Sequence, residues 1–187
     1  MNTATVSEYQ RLVYASRATF PPSGNGTGID PEIARILMQS RRNNPANGLV
    51  GALYYADGYF FQCLEGRAAA IEQLYARLHH DPRHTDLKIL GRQAISAPSF
   101  SSWAMKFVPN AKVVSALLAR HGRKVFDPST FDAATIRELV ELLLHGSNVT
   151  TVATSPEALA LRIKRNELMT WAALTLSVVA LLLAVFI

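Results

Sequence analysis

The dipeptide Asp57-Gly58, set between two apolar runs, constrains this chain more than any other feature. An Asp-Gly pair suits a two-residue hairpin turn, because the central positions need positive φ and Gly adopts it without steric cost. The run before it (48–56) and the aromatic run after it (59–64) then form adjacent strands. Side chains alternate along a strand, so Phe60, Gln62 and Leu64 share one face while Tyr59, Phe61 and Cys63 share the other. Gln62 is therefore a lone carboxamide among apolar neighbours. A buried amide left unpaired costs roughly 1–3 kcal/mol, so Gln62 needs a polar partner. This segment alone leaves that partner open, as neighbouring backbone or as ligand.

The flanking sequence supplies a mixed fold. Residues 11–16 read as a first strand with Leu12, Tyr14 and Ser16 on one face, and 21–28 is a loop rich in Pro, Gly, Ser and Asn. Asp30 as N-cap, Pro31 at the first helical position and Glu32 in the first turn start a helix. Ile33, Ile36, Leu37 and Ser40 form its inward stripe, and Pro45 ends it near Asn43 or Asn44. A second helix is predicted over 67–80, with Ala70, Ile71, Leu74 and Leu78 inward. Asp81-Pro82-Arg83-His84 breaks it, and strands follow over 86–95 and 103–108. The order β-α-β-β-α-β-β predicts an α+β, ferredoxin-like sheet with two helices on one face. Two amphipathic helices, 111–120 and 128–145, come next; Ile136, Leu139, Val140, Leu143 and Leu144 make the stripe of the second. Such a pair covers the open face of a sheet or makes a dimer contact, and the sequence leaves both open.

Composition removes several function classes. The net charge is +5, from 19 Lys and Arg against 14 Asp and Glu, but the basic residues are scattered apart from short clusters such as Arg41-Arg42. No nucleic-acid motif accompanies them, so no nucleic-acid partner is expected. The single cysteine, Cys63, excludes an intrachain disulfide and a cysteine-built zinc site, and no metal is expected. Leu168 and Ile187 bound about twenty residues without a formal charge, long enough for a helix that spans a bilayer. Arg162, Lys164 and Arg165 precede them and Trp171 lies near their start, which suits a cytoplasmic basic flank and an interfacial aromatic. Residues 1–10 are polar and carry no apolar signal-peptide core. The expectation is a single-pass tail anchor in the inner (cytoplasmic) membrane with the remaining chain on the cytoplasmic side.

Several short motifs, in order, resemble one family. Val13-Tyr14-Ala15-Ser16, Asn43-Asn44 ahead of Gly48 and Gly51, and Phe60-Phe61-Gln62-Cys63-Leu64-Glu65-Gly66 look like a BLUF domain. So do Asp81-Pro82-Arg83-His84 and Trp103-Ala104-Met105. BLUF domains are blue-light sensors that bind FAD. The resemblance covers residues 10–109 and divides the chain into that flavin-binding domain, a helical cap (110–147), a linker (148–160) and the basic flank with its transmembrane tail (161–187).

The resemblance implies roles for particular residues. Tyr14 matches the tyrosine that donates an electron, or an electron and a proton, to the excited flavin. Gln62 matches the glutamine whose rearranged amide gives the red-shifted signalling state, and Trp103 and Met105 match the pair that approaches it. Asn44 matches the asparagine that holds the flavin edge, and Asn43 the position before it. Ser40, Arg77, Asp81 and His84 fall where further ring contacts lie, and Cys63 receives no role. The amide chemistry agrees independently, since Asn and Gln offer both donor and acceptor and switch partners without gaining charge. No acid–base or nucleophile constellation stands beside Gln62, so the expected function is a photoreceptor and not an enzyme. It would act on a downstream protein of unknown identity, with a second copy of the chain as another candidate partner. A flavin-free membrane adaptor and a flavin-dependent enzyme are the alternatives.

Overall fold

In the computed structural model of the protein, which describes residues 8–21, 29–100, 104–108 and 111–145, nine helices and strands follow one another. They are β1 (Tyr9–Ala18), α1 (Pro31–Asn43), β2 (Val50–Ala56), β3 (Tyr59–Arg67), α2 (Ala68–Leu78), β4 (His84–Ile95), β5 (Lys106–Phe107), α3 (Ala111–Arg120) and α4 (Ala133–His145). Asp57 (φ 50°) and Gly58 (φ 79°) form the expected hairpin turn. It sets β2 and β3 in antiparallel register from Val50 opposite Glu65 to Ala56 opposite Tyr59. Gly51 is required by proximity, because a Cβ there would lie 2.2 Å from the Cys63 carbonyl oxygen across the hairpin.

The sheet order is β4-β1-β3-β2-β5, antiparallel except where β2 meets β5. This mixed α+β fold with a five-stranded sheet agrees with the sequence reading. α1 starts as its local chemistry dictates, with the Asp30 carboxylate accepting from the Glu32 amide at 2.8 Å and Arg41 and Arg42 at the carboxyl end of the helix dipole. Strand alternation then sends side chains to two cores. Leu12, Tyr14, Phe60 and Leu64 meet Ile33, Ile36 and Leu37 of α1 and Ile71 of α2. On the opposite face Val13, Phe61 and Cys63 meet Val114 and Leu118 of α3 and Leu139, Val140 and Leu143 of α4.

The 111–145 helices therefore cover the sheet. Each buried Leu or Phe contributes about 1.5–3 kcal/mol, so this stripe is committed to the sheet and is not displayed for a partner. Lys106 adds a polar tie, its Nζ donating to the Leu144 carbonyl at 2.9 Å in the last turn of α4. Several boundaries differ from expectation; of the strand expected over 103–108 only Lys106 and Phe107 pair with β2, and α2 is Ala68–Leu78 rather than 67–80. Residues 128–130 form a separate 3-10 turn capped by Asp127, and α4 begins only after Asp132, whose Oδ1 accepts from the Thr135 amide at 2.8 Å. β4 begins at His84, within the stretch read as a break.

The membrane localisation is corrected. Among the described residues no helix is long and apolar enough to cross a membrane. The longest, α1 and α4, have 13 residues each and at about 1.5 Å per residue fall well short of a hydrocarbon core about 30 Å thick. The stretch 168–187, on which the tail anchor and the transmembrane part of the fold class rested, lies outside the described residues.

Candidate functional site

Tyr14 and Gln62 are direct partners across the β1–β3 ladder. Directly opposed side chains on one sheet face lie close enough to interact, and both point away from α3 and α4. They open into a cleft between α1 and α2 that holds about 710 Å³ of empty space including its mouth. Gln62 is only 4% exposed, yet among the described residues neither its amide nor the Tyr14 hydroxyl has a hydrogen-bond partner. Burial pushes the Tyr14 phenol well above its ordinary pKa, with Tyr75 and Asp81 adding to the effect, so its proton stays on. The Tyr75 ring meets Tyr14 edge-on at 5.7 Å between centroids.

The carboxyl end of α1 builds the next wall. Pro45 stops the helix, and the turn that follows accepts the Asn47 and Leu49 amides on the Asn44 carbonyl at 3.0 and 2.9 Å. Asn44 is held with 4% exposure, and its Nδ2 donates to the Ala104 carbonyl at 2.7 Å. Its carbonyl oxygen and second N–H are left for another partner. One residue on, the Met105 carbonyl accepts from Arg41 Nε at 3.0 Å. Two side chains of the α1 region thus hold the segment that leads into β5, with the Met105 side chain in the cleft.

The start of β4 closes another side. His84 is 7% exposed, bonded through Nδ1 to Ser16 Oγ at 2.8 Å and tilted against Phe60 at 4.5 Å. Desolvation is the main cause of a fall in its pKa to about 4, so the ring is neutral. Asp81 has both carboxylate oxygens on the Arg83 guanidinium at 2.9 and 2.6 Å, and those bonds hold it below the usual carboxylate range. Arg83 also donates to Gln39 Oε1 on α1 at 2.8 Å.

All nine described residues singled out from sequence line this one cleft: Tyr14, Ser40, Asn43, Asn44, Gln62, Arg77, Asp81, His84 and Met105. Trp103 lies outside the described residues. The reading missed Gln39 and Arg83. An Asp-X-Arg spacing at 81–83 signals a local carboxylate–guanidinium pair and offered a clue to the second. Nothing local marks Gln39, since its partner is 44 positions away. Apolar walls from Ile36, Leu74, Leu78 and Met105 with carboxamides at one edge fit a flat, polar-edged ring such as an isoalloxazine. The unpartnered Gln62 amide is the group that such a ring would satisfy.

This chain is similar to known proteins in sequence and fold. The family of sensors of blue light using FAD (BLUF) matches residues 9–106. The photoactivated adenylate cyclase subunit beta of Euglena gracilis is 37% identical over 76 residues, which are 41% of this chain and only 8% of that protein. BlsA in its photo-activated state is similar in structure with a TM-score of 0.67 and 30% identity, over 76% of this chain and 99% of that one. The dark state of BlrB, a BLUF protein, gives a TM-score of 0.59 at 28% identity, over 74% of this chain and 97% of the other.

Proposed function

The chain belongs to the BLUF family of blue-light sensors that use FAD, and from that premise we propose that it senses light through the Gln62–Tyr14 pair and passes the signal to a separate protein. BLUF domains are FAD-binding photoreceptor domains, and the domain is a sensor and not an enzyme. The observation that carries the finer reading is the pair itself: opposed in register, buried, and both facing the cleft.

FAD, when bound, supplies the light absorption and the redox chemistry; the residues of this chain hold it and respond. Asn44 and Asn43 would hold it through amide donors and acceptors, and Ile36, Leu74 and Leu78, which line the cleft, would exclude water from it. Ser40 and Arg77 add polar contacts at the α1 and α2 sides. His84 stays neutral and holds Ser16, and Asp81 is balanced by Arg83, so neither adds an uncompensated charge. Tyr14 keeps its proton on the hydroxyl in the dark. The Gln62 amide has a donor and an acceptor end, so turning it or exchanging its proton reverses the hydrogen bonds it offers without creating charge. Met105, which lines the same cleft, feels that change in this reading; Trp103 has the same role only by resemblance to the family.

The test is a light-minus-dark absorption spectrum of the purified full chain. A yellow protein whose band shifts reversibly to the red under blue light supports the reading. Colourless protein that FAD cannot load overturns it, and substrate-dependent flavin reduction in the dark indicates an enzyme instead.

A further inference from the structure

Glu65 is fully buried, three residues beyond Gln62 on β3 and on the face opposite the cleft. A carboxylate in a core is costly unless its lone pairs are filled, and here they are. Oε1 accepts from Arg11 Nε at 2.7 Å and lies 2.6 Å from Arg11 Nη2; Arg11 stands directly opposite on β1. Oε2 accepts from the backbone amides of Ser99 and Phe100, the second at 3.2 Å. Arg11 Nη2 also donates to Ser99 Oγ at 3.1 Å. The Phe100 side chain is buried in the core beside Cys63. Residues 99 and 100, after β4, are thus stapled to the β1–β3 pair by Glu65 with Arg11. Farther along, the same segment is held from the opposite face, by Asn44 on Ala104 and Arg41 on Met105.

We propose that Glu65 is a positioning residue for the light-sensing site: by holding the amides of residues 99 and 100, it fixes where the strand entry at 104–107 sits against Gln62. β5 has only two residues in the sheet, too few to set its own register against β2, so the position of Met105 depends on its anchors. Those anchors are Asn44 and Arg41 on one side and, on the other, Glu65 with Arg11 together with the Lys106 bond to the Leu144 carbonyl. Arg11 is part of the device, because its fork supplies bidentate bonds that a lysine cannot. This role rests on the photoreceptor reading only where the light response is concerned.

Glu65→Gln and Arg11→Lys test it in the FAD-loaded full chain. Glutamine keeps the shape of Glu65 but carries one acceptor and one donor end, so its NH2 faces donors whichever way it lies. Amide hydrogen exchange at residues 99, 100 and 104–107 is expected to quicken at least tenfold in Glu65→Gln and by less in Arg11→Lys, with β1 and β3 amides unchanged. The dark recovery of the light-shifted band is expected to change at least threefold, with FAD still bound. If Glu65→Gln does not fold, Arg11→Lys carries both measurements. Exchange that is unchanged, or that quickens equally everywhere, overturns the staple. A local change in exchange with unaltered recovery overturns its link to light sensing. Wild-type protein with no light shift refutes the photoreceptor reading instead, and the exchange comparison alone then decides the staple.

Discussion

Lowering the pH from 7 to 5 should cost this fold about 2 kcal/mol through His84 alone. In the folded chain burial is the main reason that the imidazole pKa lies at about 4; Arg83 lowers it further and Asp81 partly opposes. An unfolded histidine titrates near about 6.5. The unfolded chain therefore takes up a proton first as pH falls, and stability falls with it. The penalty begins near pH 6.5, grows at about 1.36 kcal/mol per unit, and levels off below pH 4. From 6.5 to 5 that is about 1.5 units, hence about 2 kcal/mol. The matching variant is His84→Asn, whose short amide keeps a partner for Ser16 Oγ and does not titrate. Urea unfolding of the FAD-loaded full chain, followed by circular dichroism at pH 7 and pH 5, measures the difference. With a denaturant slope of about 1–3 kcal/mol per molar, the wild-type midpoint should drop by roughly 1 M more than that of the variant. Asp81 does not confuse the comparison, because its depressed carboxyl loses its contribution only as pH falls below the ordinary carboxylate range. Equal losses in both proteins would show that His84 is not held neutral by burial.

Three further substitutions address the cleft. Gln62→Leu should leave FAD bound and abolish the red shift completely, because an apolar side chain of similar size cannot reverse hydrogen bonds; a normal light-minus-dark spectrum would remove Gln62 from the mechanism. Tyr14→Phe keeps the ring and its edge contact with Tyr75 but loses the hydroxyl. FAD should stay bound while the photocycle fails, and an unchanged transient absorption trace would sink the role of the hydroxyl. Asn44→Ala strips the donor from the Ala104 carbonyl and empties the amide position at the cleft edge. At about 1–3 kcal/mol for a polar group left unpaired, FAD should bind roughly ten- to hundredfold more weakly, and equal affinity by titration would argue against the contact.

What the sequence disclosed was what local chemistry decides. Asp30-Pro31-Glu32 specifies a helix start whatever surrounds it, and Asp57-Gly58 specifies a turn, so α1 and the β2–β3 hairpin were legible almost to the residue. The cleft was less legible: alternation gave each strand two faces without saying which the helices cover, and it was the family motifs that named Tyr14, Gln62 and the edge residues together. Long-range pairing was hidden. His84 reads as the end of a Pro-containing break, yet its bond to Ser16, 68 positions away, draws it into β4. The start of α4 was misplaced because Pro128 is an attractive first helical residue. Asp127 and Asp132 in fact cap two successive turns, and the second cap defines the helix.

Alternation along β3 has a further consequence. Phe60 and Leu64 belong to the α1–α2 core, and Phe61 and Cys63 to the α3–α4 core. β3 itself is paired along nearly its whole length on both edges, by β1 and by β2. Moving it would break both ladders at once. β5 differs in each respect. It is two residues long and paired on one edge. Met105, just before it, faces the cleft, while Lys106 reaches through to the Leu144 carbonyl at the end of α4. β5 is therefore the strand in which the fewest ladder bonds resist displacement. That is also the strand whose position Glu65, Asn44 and Arg41 hold from outside the ladder.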